Sequence, residues 1–146
     1  MPIKNYTTTK NAFESVGEIQ AMLARRGAQR LMIEYGPDQR VVSVSFTIST
    51  PGGIQAVRLP SNVDATLEVL RRQKKTNSKV IATYDQAERV SWRILRDWLD
   101  AQLAILETEM VTIDQVLLPY FVDRSGRSVY ELYGSGQLMI AGGDLP

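Results

Sequence analysis

The 146-residue chain carries 17 Lys and Arg against 16 Asp and Glu, a net charge of +1, so attraction to nucleic acid must come from a local patch. It has no Cys and no His, which excludes disulfides, thiolate nucleophiles, Cys/His zinc sites and histidine acid–base chemistry. Its length fits a single globular domain, 1–146, and no run of about 18 apolar residues offers a membrane span.

The opening, MPIKNYTTTK, lacks the apolar core of a secretory signal, so a cytoplasmic location is expected. Tyr6 and the run Thr7–Thr9 suit a short strand or an ordered arm. Ser15-Val16-Gly17-Glu18 reads as a capping box that starts a short amphipathic helix with Ile19, Met22 and Leu23 inward. Arg25 and Arg26 suit its last turn, and Gly27 ends it.

Three strand patterns follow. Arg30–Tyr35 alternates Leu31, Ile33 and Tyr35 on one face, and Gly36-Pro37-Asp38-Gln39 makes a turn. Val41–Ser49 is the clearest strand: Val42, Val44, Phe46 and Ile48 alternate with Ser43, Ser45, Thr47 and Ser49. Thr50-Pro51-Gly52-Gly53 turns the chain into the third strand, Ile54–Leu59. Short turns between consecutive strands imply an antiparallel meander. The hydroxyl-lined face of the central strand is either solvated surface or a floor for a polar ligand.

Ser61 is placed to cap a helix over 62–73. Arg71, Arg72, Lys74, Lys75 and Lys79 then supply five cations and no acid in a polar stretch that reads as a mobile loop. Thr83 with Gln86 offers a cap for Asp85–Glu107, the longest helical pattern in the chain. One stripe carries Ala87, Val90, Ser91, Ile94, Trp98, Ala101 and Ile105. A second carries Trp92, Leu95, Leu99, Leu103 and Leu106. Such a wide apolar arc predicts contact with more than one layer, or with a second subunit, and hence a homo-oligomer. Arg89, Arg93, Arg96 and Asp100 fall on what remains as a solvated face. Gln102 lies near the first stripe, where a buried amide needs partners.

Thr112-Ile113-Asp114-Gln115 signals another cap, and Pro119 interrupts the short helix after it. Asp123–Gly126 is a turn, Ser128–Tyr133 is apolar enough to dock on the body, and 134–146 reads as a tail with a weak apolar spot at Leu138–Ala141. No phosphate-binding glycine motif or EF-hand spacing occurs, and the carboxylate pairs fit surface helix charge. Neither a metal nor a cofactor is expected.

The opening MPIKNYTT, the stretch VGEIQAMLARRGA, the helix AERVSWRILRDWLDAQLA and the following LLPY resemble a group of small phage and prophage proteins over nearly the whole chain. That resemblance implies a phage-related cytoplasmic role and carries no activity with it. The order helix, three-strand meander, long helix is also similar in topology to the core of phage single-strand annealing recombinases.

The expected fold class is therefore α+β, an antiparallel three- to four-stranded meander with helices packed on one face and one long central helix. The first functional expectation is a non-enzymatic protein that binds single-stranded DNA in phage recombination. Arg71, Arg72, Lys74, Lys75 and Lys79 would contact phosphates, Arg89, Arg93 and Arg96 would extend the basic track, and Tyr84 would stack on a base. The second is a phage protein sequestering a small anionic nucleotide between subunits, using the same cations with Ser43, Ser45 and Thr47. The third is an adaptor that modulates a host machine by protein contact.

Overall fold

A computed structural model describes residues 1–138; the expected tail beyond Leu138, with the rest of its apolar spot, lies outside the described residues. The elements are α1 (Ala12–Arg25), β1 (Gln29–Tyr35), β2 (Val41–Thr50), β3 (Gly53–Pro60), α2 (Val63–Lys74), α3 (Tyr84–Leu106), α4 (Ile113–Leu117), a 3-10 turn (Leu118–Tyr120) and α5 (Val129–Gly134). This is an α+β fold built on an antiparallel meander in the order β1-β2-β3. Phe121 and Val122 extend the sheet beside β3 through a Val57–Phe121 bridge and a bond from Val122 N–H to the Ala56 carbonyl, 2.9 Å.

The alternation of β2 buries Val44, Phe46 and Ile48 against Ile19, Leu23, Trp92 and Leu99. It breaks at the strand's start. Glu34 pairs with Ser43 and Tyr35 with Val41, so a bulge falls at Val42. The extra residue shifts the phase, and Val41 is buried while Val42 stands 43% exposed, the reverse of the expected assignment. The indole N–H of Trp92 donates to the Val41 carbonyl at 3.3 Å.

Helix α3 uses its wide apolar arc within one chain. Alpha1 packs along one side, and α2 along the other in a second cluster of Val63, Leu67, Leu70, Val80 and Ala87. Most of the arc is thereby covered within one chain, while Ile94, Leu95 and Trp98 stay partly open and Ile105 is 38% exposed. Thr83 caps α3 as expected, accepting from Gln86 N–H at 3.2 Å.

Two other caps differ from expectation. Alpha1 starts a turn early, with the Asn11 side chain accepting from Glu14 N–H at 2.8 Å, so Ser15 and Glu18 lie inside the helix. Asn and Ser cap about equally well, so the earlier start follows from Ala12 and Val16, which extend the buried face backward. For α2 the cap position is Asn62, without a side-chain bond, and the Ser61 hydroxyl donates instead to the Val42 carbonyl.

The first ten residues form a turn-containing arm held by long-range polar contacts. Gln73 accepts from Ile3 N–H at 2.9 Å, and Asp97 accepts from the Asn5 amide at 2.9 Å. Gln86 donates to the Tyr6 and Thr8 carbonyls at 3.0 Å each. The buried amide that needed partners is thus Gln86, 4% exposed; Gln102 is only half-buried.

Burial pushes the Asp97 carboxyl up, but hydrogen bonds from Asn5 and Arg96, with Lys4 nearby, outweigh it and hold its pKa below the ordinary value. A carboxyl lowered in the folded state contributes fully above its unfolded pKa, about 3.9, and loses that contribution as pH falls through the lower folded value. The arm is therefore expected to loosen below about pH 4. Protection of the amides of residues 3–8, relative to their intrinsic exchange rate at each pH, should fall there, and Asp97→Asn should show the lower protection already at neutral pH.

Candidate nucleic-acid interface

Arg71, Arg72 and Lys74 occupy the last turn of α2, where cations complement the exposed carbonyls. Lys75 and Lys79 follow in a hydrogen-bonded turn, not the slack loop that its polar composition suggests. Thr76 and Asn77 N–H donate to the Gln73 carbonyl at 3.2 and 3.0 Å, and Val80 N–H donates to the Asn77 carbonyl at 3.1 Å. The Asn77 side chain accepts from Lys79 N–H at 3.1 Å. Fully buried Val80 fixes the far end, and Lys74 ties the turn by donating its ammonium to the Val80 carbonyl at 2.9 Å.

All five cations are exposed. Arg71 pairs with Glu68 at 3.2 Å, but both groups are open to water and the pair is worth only tenths of a kcal/mol. Among the described residues Arg72, Lys75 and Lys79 have no carboxylate within ion-pair distance. The turn thus presents a compact positive knob on a fixed backbone.

The structure does not add the arginines of α3 to that knob as a solvated track. Arg93, its side chain only 11% exposed, donates to the Ser15 hydroxyl at 3.2 Å and to the Glu18 carboxylate. Arg96 lies by Glu18, Asp97 and Asp100 at 3.3, 3.2 and 3.4 Å. Ser15 and Glu18, which resembled a cap, are in fact the α1 partners of these arginines. Arg89 is half-buried and donates to the Gln86 side-chain oxygen at 3.0 Å.

Tyr84 also has other company. The Arg40 guanidinium lies over its ring, 4.7 Å from the centroid, and pairs with Asp85 at 2.5 Å and Glu88 at 3.4 Å. Burial raises the Tyr84 hydroxyl pKa, and nearby Asp64 and Asp38 push it further. Burial likewise raises Glu88, while the hydrogen bond from Arg40 lowers Asp85. An acidic setting with one ring face already covered is poor ground for stacking a base between phosphates.

The hydroxyl face of β2 is engaged. Ser43 and Ser45 donate to Glu34 Oε1 at 2.7 and 3.2 Å, and Thr47 donates to the Gln29 carbonyl at 3.2 Å. A floor whose hydroxyls already hold a carboxylate repels an anionic ligand.

Sequence reasoning missed two concave regions, because each joins distant segments. One, about 410 Å³, lies between β3 and the C-terminal turn, bordered by Arg58, Tyr120, Tyr130 and Glu131. The other, about 380 Å³, is an apolar groove bordered by Val69, Ile94, Leu95, Trp98 and Tyr120. Trp98 meets Tyr120 edge to face there at 5.5 Å.

Among the described residues no three carboxylates gather as a metal site, and no helix is long and apolar enough to cross a membrane. Comparison with family models, curated proteins and solved structures gives no match.

Proposed function

We propose that this protein is a non-enzymatic nucleic-acid-binding protein that grips the phosphate backbone of single-stranded DNA with the turn at the end of α2. A role in phage recombination is part of this reading and rests on the sequence resemblance alone. The observation that carries the binding role is the knob itself: Arg72, Lys75 and Lys79 without carboxylate partners among the described residues, beside loosely paired Arg71, on a hydrogen-bonded backbone. Counterion release from phosphates favours such a cluster whatever the base sequence. The choice of a single strand rests on the similarity in topology to single-strand annealing recombinases. The engaged hydroxyls of β2 weigh against the nucleotide-sequestering alternative.

The test is fluorescence anisotropy of a labelled single-stranded oligonucleotide over a range of salt. Four phosphate contacts predict a slope of log K against log salt of about −3, at roughly −0.7 per contact on single strands. Substituting Arg71, Arg72, Lys75 and Lys79 together by Gln should bring the slope near zero. An unchanged slope and affinity in that variant would overturn the proposal, as would absence of binding at low salt.

A further inference from the structure

The two edges of the sheet are treated differently. Phe121 and Val122 cover part of the β3 edge, whereas β1 is bonded to β2 on one side and to no strand on the other among the described residues. Gly36 N–H bonds to the Arg40 carbonyl at 2.8 Å, which places Gly36 on the β2 side of the ladder. By alternation, Glu34 and Met32 also direct their main-chain groups to β2, so Leu31, Ile33 and Tyr35 direct theirs outward.

Unpaired edges invite another strand, and proteins guard them with outward charges, proline or a covering segment. Leu31–Tyr35 contains no Lys or Pro. Its one charge, Glu34, folds inward to accept both serine hydroxyls on Oε1. Beside the edge stand exposed Met32, Tyr35 and Phe13, the last two rings 6.4 Å apart.

We propose that a second copy of this chain occupies this edge, β1 pairing antiparallel with β1 about a two-fold axis at Met32. In that register Leu31 faces Ile33 of the other copy, and both have outward main-chain groups to exchange. Arg30 faces Glu34, and the symmetry makes this contact twice. Arg30 has no ion-pair partner among the described residues, and Glu34 keeps Oε2 free of protein hydrogen bonds. The segment is thus charge-complementary to itself. Arg30 sits at φ +52°, a costly conformation for a side chain, at an irregularity that interrupts pairing with β2 between Gln29 and Met32. Met32 meets Met32 on the axis, and the meander continues into a six-stranded sheet.

The experiment is sedimentation equilibrium of the full chain, checked by circular dichroism. Wild type should sediment at twice 16.4 kDa. Met32→Lys and Met32→Glu, at a position 55% exposed and hence compatible with folding, should each place like charges on the axis. Each should weaken the dimer about a hundredfold, and an equimolar mixture of the two should recover it as a heterodimer. Arg30→Glu, which faces Glu34, should also weaken it. A wild type that stays at 16.4 kDa overturns the proposal and leaves the edge for a strand of another protein. A dimer unaffected by either Met32→Lys or Arg30→Glu overturns it too, by placing the interface elsewhere.

Discussion

Trp92→Ala should destabilise the protein by about 3–5 kcal/mol, a large fraction of the 5–15 kcal/mol typical of a domain. Urea melts followed by circular dichroism would measure the loss. Trp92 is fully buried and stands where α1, α3 and the inner face of the sheet meet, so its removal opens a cavity that three layers would have to close. Its indole has a second task. Pairing of β2 with β3 ends at Ser43 and Pro60, leaving the Val41 carbonyl past the end of that ladder. The Trp92 N–H satisfies it. Trp92→Phe keeps most of the volume but orphans that carbonyl, and should cost about 1–3 kcal/mol. Equal losses for both substitutions would mean that volume matters less than the hydrogen bond.

Arg93→Ala should cost about 2–3 kcal/mol and leave DNA affinity unchanged. The guanidinium is nearly buried between α1 and α3 and bonds Ser15 and Glu18 at once. Removing one partner of a buried pair costs about 3–5 kcal/mol when the other charge is stranded; Glu18, 40% exposed, regains water, which brings the cost below that range. A double-mutant cycle with Glu18→Ala should show strong coupling, because each single substitution already removes the shared contact. A marked fall in DNA affinity for Arg93→Ala, with stability intact, would return α3 to the binding surface.

The meander, the long helix and its Thr83 cap were legible in the sequence because each depends on local signals: period-two alternation, period-3.6 stripes and turn residues in short connections. The phase of Val41 and Val42 was not, since a bulge inserts one residue without leaving a compositional mark. The capping reading of Ser15 and Glu18 failed for a related reason. The same Ser-x-x-Glu spacing that suits a helix start also places both groups near one face of the interior, where Arg93 takes them. Within the candidate site, the cations of 71–79 stood out as a run. That Arg93, Arg96 and Tyr84 were committed elsewhere depended on partners tens of residues away, Glu18 and Arg40, whereas Arg89 turns to Gln86 one helical turn back.

The arm of the first ten residues has a kinetic consequence. Its bonds to Gln73, Gln86 and Asp97 close loops of 70, 80 or 78, and 92 residues, whereas the meander and the α2–α3 pair join neighbours along the chain. Such long closures are slow and entropically costly. The acceptors and donors come into line only when α2 and α3 are already helical and side by side. The arm is therefore a late event in folding and an early one in unfolding, a latch that engages only a finished helix pair. A protease that nicks near Thr7–Thr9 would report on the assembly of a surface formed by residues far down the chain.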